Sequence, residues 1–280
     1  MITFLIFLLL LLKFNLDGVL TALDAALPPG FYSLPIFLWG ATIATILNDN
    51  NIYPTVTNLN SNTLCLAQAI EAVLLQFQWY EVSLVYIPDD IRRVGYFFPQ
   101  DFQNVVNANP NLTIVYNQQM AATTASMHNA LTQIKNRSRI VIANIDNIAT
   151  RRDFLLAITD TGISQSNEYV FIFAQLRSLG MLQQSEQFIL VDLENQSNSQ
   201  IDIFNAKVVS EFGKPPFNCV NECMGGPNDQ IPSSYARSLH DTTYAYLRAL
   251  NKTTEKFGYL TKDLARNGTL INNMSKGEFQ

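Results

Sequence analysis

From about residue 80 onward, the chain alternates between short apolar runs and longer amphipathic segments. Four apolar runs, at 82–87, 112–116, 139–144 and 169–173, are rich in β-branched and aromatic residues, which is typical of buried strands. Their first residues lie 27 to 30 positions apart, the length of a strand-helix-strand unit. The pattern predicts consecutive strands that are connected by helices.

The segments between these runs have the spacing of helices that are buried along one side. Residues 122–135 place apolar side chains at helical intervals, and 149–161 repeat the pattern before Gly162, a residue type that ends helices. An earlier helix is predicted over 64–77, before the first strand. Because parallel strands need crossovers that place helices on the faces of the sheet, the predicted class is α/β, with a parallel sheet flanked by helices.

After residue 173 the pattern becomes less regular. Residues 183–200 are rich in Gln, Ser and Asn and predict a loop that contains one short strand at 188–191. A helix is predicted over 201–212, a long one from Pro232 to about residue 250, and a further one over 254–265.

The N-terminus is an apolar run that ends in five leucines before Lys13. It is too short for the roughly 20 residues that span a bilayer. The run matches the apolar region of a secretory signal, and residues 1–25 are interpreted as a signal peptide or N-terminal apolar segment. No basic residue precedes the run and no clean cleavage site follows it, so an uncleaved membrane anchor, a buried helix and a mis-assigned start stay open as alternatives.

Composition narrows the chemistry that the chain can support. Charged residues make up only 15% of the chain and its net charge is −5, which argues against nucleic acid as a partner. There are two histidines, His128 and His240, and no Walker loop, nucleophile elbow, zinc-protease or dinucleotide motif. We therefore expect no cofactor, no metal site and no catalytic residue.

Six Asn-x-Ser/Thr sequons agree with export and are expected to carry glycans. They begin at Asn111, Asn136, Asn195, Asn251, Asn267 and Asn273. This number is a mild excess over chance, and a sugar-covered exterior fits the low charged fraction. Together with the apolar start, the sequons predict a chain that is secreted or lies on the extracellular face of the plasma membrane.

The three cysteines are Cys65, Cys219 and Cys223. Cys219 and Cys223 lie in one short turn-rich stretch, and in an exported chain this favours a small disulfide loop. Zinc is the less favoured alternative, because no second Cys or His pair lies at finger-like spacing. Cys65 has three open interpretations: buried and free, paired between chains, or left without an intrachain partner.

Five segments carry a family resemblance through their order and spacing: 34–42, with Pro-Ile-Phe-Leu-Trp-Gly, 53–55, with Tyr-Pro-Thr, 77–86, with Phe-Gln-Trp-Tyr-Glu-Val, 234–251 and 267–279. Together they resemble the extracellular ligand-binding region of receptor guanylate cyclases, the family of natriuretic peptide receptors and nematode sensory cyclases. The resemblance implies a bilobed fold of the periplasmic-binding-protein type I, with a peptide or small molecule bound between or beside the lobes. It also suggests a homodimer.

On this resemblance, residues 62–232 form most of lobe two, whereas 30–61 and 233–280 form part of lobe one. The family's other lobe-one elements, its transmembrane helix, its kinase-like domain and its cyclase domain have no counterpart in the sequence, so the chain is interpreted as truncated. Membrane attachment would then come through the parent receptor or an uncleaved N-terminal segment. We expect 30–61 and 233–280 to leave apolar surface bare, because their usual neighbours are missing.

Ligands of open α/β sheets bind beyond the carboxyl ends of the strands. Those ends supply the candidate ligand-binding residues Trp39, Thr42, Tyr86, Asp89, Asp146 and Gln175, together with Asp90 and Asn144. Trp39 would offer a flat apolar surface and Thr42 a hydroxyl group. Five of these residues have a structural alternative, which is capping of the following helices for Asp89, Asp90 and Asp146 and core packing for Trp39 and Tyr86.

The sequence therefore favours a receptor ligand-binding region that lacks a catalytic domain and senses a peptide or small ligand. The rival interpretation is a secreted solute-binding protein of the periplasmic-binding-protein type. The sequons and the missing part of lobe one argue against that rival. An α/β hydrolase is disfavoured because the chain has no nucleophile motif.

Overall fold

The computed structural model describes residues 33–39, 45–59, 62–88, 94–174, 188–191, 199–215 and 235–277. It contains two parallel sheets. The smaller pairs β1 (Ile36–Leu38) with β2 (Val56–Asn58). The larger contains β3 (Glu81–Tyr86), β4 (Thr113–Gln119), β5 (Ile140–Asn144), β6 (Val170–Ala174) and β7 (Phe188–Val191), hydrogen-bonded in the order β4-β3-β5-β6-β7. The predicted strands and their parallel arrangement are thereby confirmed.

In the part of the chain that the structure describes, the α-helices are α1 (Thr63–Gln76), α2 (Val94–Ala108), α3 (Thr124–Lys135), α4 (Ile148–Asp160), α5 (Ser199–Phe212), α6 (Tyr235–Phe257), α7 (Lys262–Arg266) and α8 (Gly268–Ser275). Short 3₁₀ turns lie at Thr45–Asn48 and Ile163–Gln165. Helices α1, α3 and α4 begin and end within two residues of their predicted limits. Among these described helices, none is both long enough and apolar enough to cross a bilayer.

Side-chain caps fix where the three predicted helices begin. Asn62, Thr123 and Asn147 each accept a hydrogen bond from the backbone N–H three residues ahead, at the starts of α1, α3 and α4. At the end of α4, Gly162 adopts a left-handed φ of 70°, which a residue without a Cβ tolerates. Capping residues in the sequence therefore determine where these three helices begin.

Both faces of the larger sheet are buried, because successive residues of a strand point to opposite sides. On one face, strand residues such as Val85 and Phe173 pack against α3 and α4. On the other face, Leu84 and Ile172 pack against α1 and α2. The three central strands β3, β5 and β6 thus have a core on each side, which explains their continuous apolar runs.

The smaller sheet is completed by helices from the other end of the chain. Residues 33–59 supply a buried cluster that includes Leu47 and Val56, and α6 and α8 pack against β1 and β2. The fit is tight, since a Cβ at Gly268 would lie 2.7 Å from backbone atoms of Leu34. The contacts with α6 and α8 cover one part of these segments, while Ile52 and Leu247 remain 53% and 56% exposed, so the expectation of bare apolar surface is met in part.

A buried asparagine joins α8 to the loop before β2. The Asn272 side chain is 4% exposed and donates from Nδ2 to the Pro54 carbonyl oxygen at 2.9 Å and to Asn50 Oδ1 at 3.0 Å. Its Oδ1 accepts a hydrogen bond from Thr57 Oγ1 at 2.9 Å. Because every polar group in this network has a partner, the buried amide stabilises the contact instead of weakening it.

Helix α2 connects the two sheets. Its Phe98 and Phe102 are fully buried in the core of the larger sheet, whereas Phe97 packs against the cluster beside the smaller sheet. One turn further along, Asp101 Oδ2 accepts hydrogen bonds from Thr45 Oγ1 at 2.6 Å and from Thr63 Oγ1 at 2.5 Å. These bonds to a carboxylate link the 3₁₀ turn, α1 and α2.

Several elements differ from the sequence-based expectation. No pattern in the sequence predicts α2, β2 or α8. The single helix predicted over 254–265 is instead the end of α6, a break at Gly258, and the short helix α7. Gly258 has a φ of 77°, a left-handed conformation that ends α6.

Replacement of Asn272 by alanine should loosen the smaller sheet. Asn272→Ala removes the side-chain donor to the Pro54 carbonyl and leaves the Thr57 hydroxyl with Ser275 Oγ, at 3.2 Å, as its neighbour. We expect the free energy of unfolding of this region to fall by about 2 kcal/mol. Hydrogen exchange should become faster at residues 33–59 and unchanged at β5. Asn273→Ala is the matched control, because that side chain is exposed and accepts a single hydrogen bond from Lys276. Both variants are made in a host that adds no glycans. Equal losses of stability in Asn272→Ala and Asn273→Ala would contradict the stabilising role assigned to the Asn272 network.

Loss of the Asp101 carboxylate should weaken the link between the sheets. Asp101→Ala removes the acceptor of two hydroxyl groups, and we expect a loss of about 2 kcal/mol with faster exchange at residues 45–48. Asp101→Asn should lose less than half of that, because its amide oxygen can still accept. Asp153→Ala removes an exposed carboxylate and serves as the charge control. Equal stability of Asp101→Ala and the control would show that the two hydroxyl bonds contribute nothing.

Candidate functional site

The order of the strands creates a crevice at the carboxyl edge of the larger sheet. Strand β3 pairs with β4 on one side and with β5 on the other, so the connections leave β3 and β5 in opposite directions. Such a switch point is where ligands bind in open α/β sheets. Tyr86 and Asn144 are the last residues of these two strands and lie directly opposite each other in the register.

Asn144 is fully buried at this edge and has one unpaired polar atom. Its Nδ2 donates a hydrogen bond to the Ala174 carbonyl oxygen at 2.8 Å, which ties the end of β5 to the end of β6. Its Oδ1 is buried without a hydrogen-bond partner. A buried acceptor that lacks a donor costs about 1–3 kcal/mol, and such groups mark sites where a water or a ligand supplies the missing hydrogen bond.

The loop after β5 is held by a buried arginine. Arg151, in the first turn of α4, is 3% exposed. Its Nε and one terminal nitrogen each donate to the Ile145 carbonyl oxygen at 3.0 Å, and a terminal nitrogen donates to the Asp146 carbonyl oxygen at 3.2 Å. These hydrogen bonds hold the backbone of Ile145 and Asp146 in place. The side chain of Asp146, which is partly exposed, therefore extends from an ordered backbone at the crevice.

The capping alternative for Asp146 is wrong. The helix that follows is capped by Asn147, whose Oδ1 accepts from the Thr150 backbone N–H at 3.1 Å. Asp146 therefore precedes the N-cap residue of α4. For Tyr86 the structure supports packing, since the partly buried ring contacts the core beneath α1 and α2. Its carbonyl oxygen accepts from the Met120 backbone N–H at 2.8 Å, which brings the end of β4 to the same edge.

The structure brings Tyr86, Asn144 and Asp146 together at this edge. Trp39 follows β1 on the smaller sheet and is partly exposed. Thr42, Asp89, Asp90 and Gln175 lie outside the described residues. Arg151 was missed by the sequence-based reasoning, because an arginine in the first turn of an amphipathic helix is typical of a solvated position.

The two histidines each have an acidic neighbour, and their side chains are 39% and 59% exposed. His128 Nε2 is 3.8 Å from Asp160 Oδ2, and His240 Nδ1 is 3.1 Å from Asp241 Oδ1. Within the described ranges, no group of three or more His, Cys, Asp or Glu side chains is arranged to hold a metal ion. Cys65 is free and exposed, so the buried interpretation of this thiol is wrong. Cys219 and Cys223 lie outside the described residues.

The expected glycan sites are accessible where they can be assessed. Five of the six sequon asparagines are described and all five are exposed: Asn111, Asn136, Asn251, Asn267 and Asn273. Asn195 lies outside the described residues. Asn267 also caps α8, since its Oδ1 accepts from the Leu270 backbone N–H at 3.0 Å, which leaves the amide nitrogen available for a sugar.

A parallel sheet with helices on both faces and polar groups at its switch point is the architecture of open α/β domains that bind ligands at the carboxyl edge of the sheet. Comparison with known proteins makes this more specific. Residues 30–280 match the family described as the receptor family ligand binding region. The chain belongs to this family, which confirms both the fold class and the resemblance drawn from the five segments.

The relatives are receptors of one type. The chain is 27% identical to the receptor-type guanylate cyclase gcy-13 of Caenorhabditis elegans, over 90% of this chain and 27% of the relative. It is 26% identical to gcy-14 of the same organism, over 92% of this chain and 26% of the relative. With gcy-19 of Caenorhabditis briggsae the identity is 25%, over 77% of this chain and 21% of the relative. The chain thus spans about a quarter of the length of these relatives.

Two substitutions at Asn144 should separate a binding role from a structural one. Asn144→Leu loses one hydrogen bond and also removes the unpaired acceptor, so we expect the free energy of unfolding to change by no more than about 1 kcal/mol. Asn144→Asp places a carboxylate beside the Ala174 carbonyl oxygen and should cost about 3 kcal/mol or more at neutral pH. Urea unfolding measures both changes. A loss of about 3 kcal/mol in the leucine variant would mean that Oδ1 already has a stabilising partner.

Proposed function

We propose that this chain is the ligand-binding region of an extracellular receptor of the guanylate cyclase type, and that it binds a peptide or small molecule without catalysing a reaction. The observation that carries the proposal is the unpaired Asn144 acceptor beside Tyr86 at the β3–β5 switch point. Membership of the receptor ligand-binding family supports the receptor role. In this proposal the ligand donates a hydrogen bond to Asn144, and Asp146 favours a ligand that carries positive charge.

The proposed site has walls from two lobes. We assign 62–232 to lobe two and both 30–61 and 233–280 to lobe one, with 1–25 as a signal peptide or apolar segment. The pairing of α6 and α8 with β1 and β2 supports the joining of the two lobe-one segments. Trp39 and Thr42 from lobe one, and Asp89 and Gln175 from lobe two, complete the proposed contact set.

Export, glycosylation and assembly belong to the same proposal. Exposure of the five described sequon asparagines supports glycans at these positions and at Asn195. In an oxidising compartment, Cys219 and Cys223 would form the small disulfide loop. The proposed assembly is a homodimer on the outer face of the plasma membrane or a secreted one, and nucleic acid is not a partner. Membrane contact would come through a parent receptor or the N-terminal segment.

A thermal-shift screen tests the binding site. The 280-residue chain is mixed with defined inorganic ions, amino acids and short peptides, because these compounds represent charged and peptide-like ligands. A ligand at about a hundred times its Kd should stabilise the fold by about 2.7 kcal/mol. Any such gain should disappear in Asn144→Leu and persist in Asp153→Ala, whose exposed carboxylate lies on α4. A gain that survives in both variants would place the binding site elsewhere and contradict the proposal.

A further inference from the structure

A second cleft lies at the opposite edge of the larger sheet, where the strands begin. It has a volume of about 830 Å³ and is open to solvent. Its walls come from the residues that lead into β3, β5 and β6, and they include Trp79, Glu81, Asn136, Arg137, Arg139 and Glu168. Since the sheet is parallel, this amino edge is separated from the crevice at Asn144 by the full length of the strands.

One wall of the cleft is aromatic. Trp79 is partly exposed and packs on Phe77, with ring centroids 4.9 Å apart and planes inclined by 22°. Phe77 is itself 58% exposed. Trp79 also packs partly against the core beneath α1 and α2, and its exposed part is an apolar surface that would lower its free energy by contact with another molecule.

The other wall is polar and held in place. Arg139 Nε donates to Glu168 Oε2 at 3.1 Å, and the Arg139 guanidinium also lies 4.8 Å from the centre of the Tyr169 ring. The Arg137 guanidinium lies 4.9 Å from the centre of the Tyr116 ring. Burial raises the pKa of Tyr116, so the phenol stays neutral and this contact is a cation–π interaction. An aromatic surface faced by charged donors and acceptors matches a sugar, which has apolar C–H faces and a rim of hydroxyl groups.

A sequon begins inside this cleft. Asn136 lines it, is exposed, and follows the last residue of α3. The Ser138 hydroxyl of the same sequon is buried, 2.6 Å from Ser83 Oγ on β3, and donates to the Ile140 carbonyl oxygen at 3.1 Å. A host transferase that needs this hydroxyl therefore has to act before β5 pairs with β3. In that step C1 of the first sugar replaces one hydrogen of the Asn136 amide, and the lipid pyrophosphate of the sugar donor leaves with the proton.

We propose that the amino-edge cleft binds the chain's own N-glycan on Asn136, with an inner N-acetylglucosamine ring packed against Trp79. The inference rests on the proposed export of the chain. Attachment at the wall of the cleft gives the sugar a high effective concentration, so that a weak stacking contact is enough to keep it bound. Arg137, Arg139 and Glu168 supply hydrogen bonds to its hydroxyl and acetamido groups.

A double-mutant cycle on the full chain from a glycosylating eukaryotic host tests the contact. Asn136→Gln should raise the unfolding equilibrium constant about fivefold when Trp79 is present, the effect of one aromatic stacking contact. In a Trp79→Ala background the same substitution should have almost no effect. Asn111→Gln removes an exposed sequon outside the cleft and should behave identically in both backgrounds. Ser138→Ala is avoided as a glycan-removing variant because it breaks the bond to Ser83.

The contact is also visible without mutation of the aromatic residue. In the unmutated chain with isotope-labelled glycans, nuclear Overhauser effects should connect the protons of an N-acetylglucosamine to the Trp79 indole. If Asn136→Gln and Trp79→Ala change the free energy of unfolding additively, and no Overhauser effects link the sugar to the indole, the proposal is wrong. Mass spectrometry of glycan occupancy separates failure of this inference from failure of the proposed export. If Asn136 carries no glycan while other sequons do, only this inference is rejected. If none of the six sequons carries a glycan, export is rejected as well.

Discussion

The position of β3 between β4 and β5 is the constraint on which the rest of the structure depends. A parallel strand cannot meet its neighbour through a tight turn, so each pairing needs a helix that crosses one face of the sheet. Because the chain moves first to one side of β3 and then to the other, α1 and α2 cover one face while α3 and α4 cover the opposite face. The same reversal opens the crevice at the carboxyl edge. At the other edge of the sheet, the residues that lead into β3, β5 and β6 surround one cleft.

Much of the larger sheet could be predicted because its signals are local. Strands buried on both faces show as apolar runs, and α1, α3 and α4 carry their own caps. Helix α2 escaped prediction because Gly95 and Pro99 interrupt its apolar spacing, and Pro99 lies inside the helix, where proline normally breaks one. Strand β2 has only three residues, and it is stabilised by contacts with α8, more than 200 residues away along the chain.

The candidate site, too, could be predicted from the sequence only in part. Tyr86, Asn144 and Asp146 could be named from the sequence because strand ends are visible in it. The role of Arg151 could not, because the carbonyl oxygens of Ile145 and Asp146 converge on it only after β5 and α4 have packed. The aromatic cleft depends likewise on the alignment of three strand beginnings, which no single segment encodes. Sequence pattern thus locates the edge of a sheet, and tertiary packing decides which side chains meet there.

The long sequence separation across the Asn272 network has a consequence for the order in which the protein is made. All of the strand segments from β3 to β6 leave the ribosome before residue 272 is synthesised, and their helices pack locally along the chain. The partners of Asn272 at Asn50, Pro54 and Thr57 are made first but must wait for the last helix before their buried polar groups are satisfied. Contacts of such high sequence separation form slowly. The earliest part of the described chain is therefore among the last to reach its final structure, and residues 33–59 stay accessible to chaperones until α8 has been made.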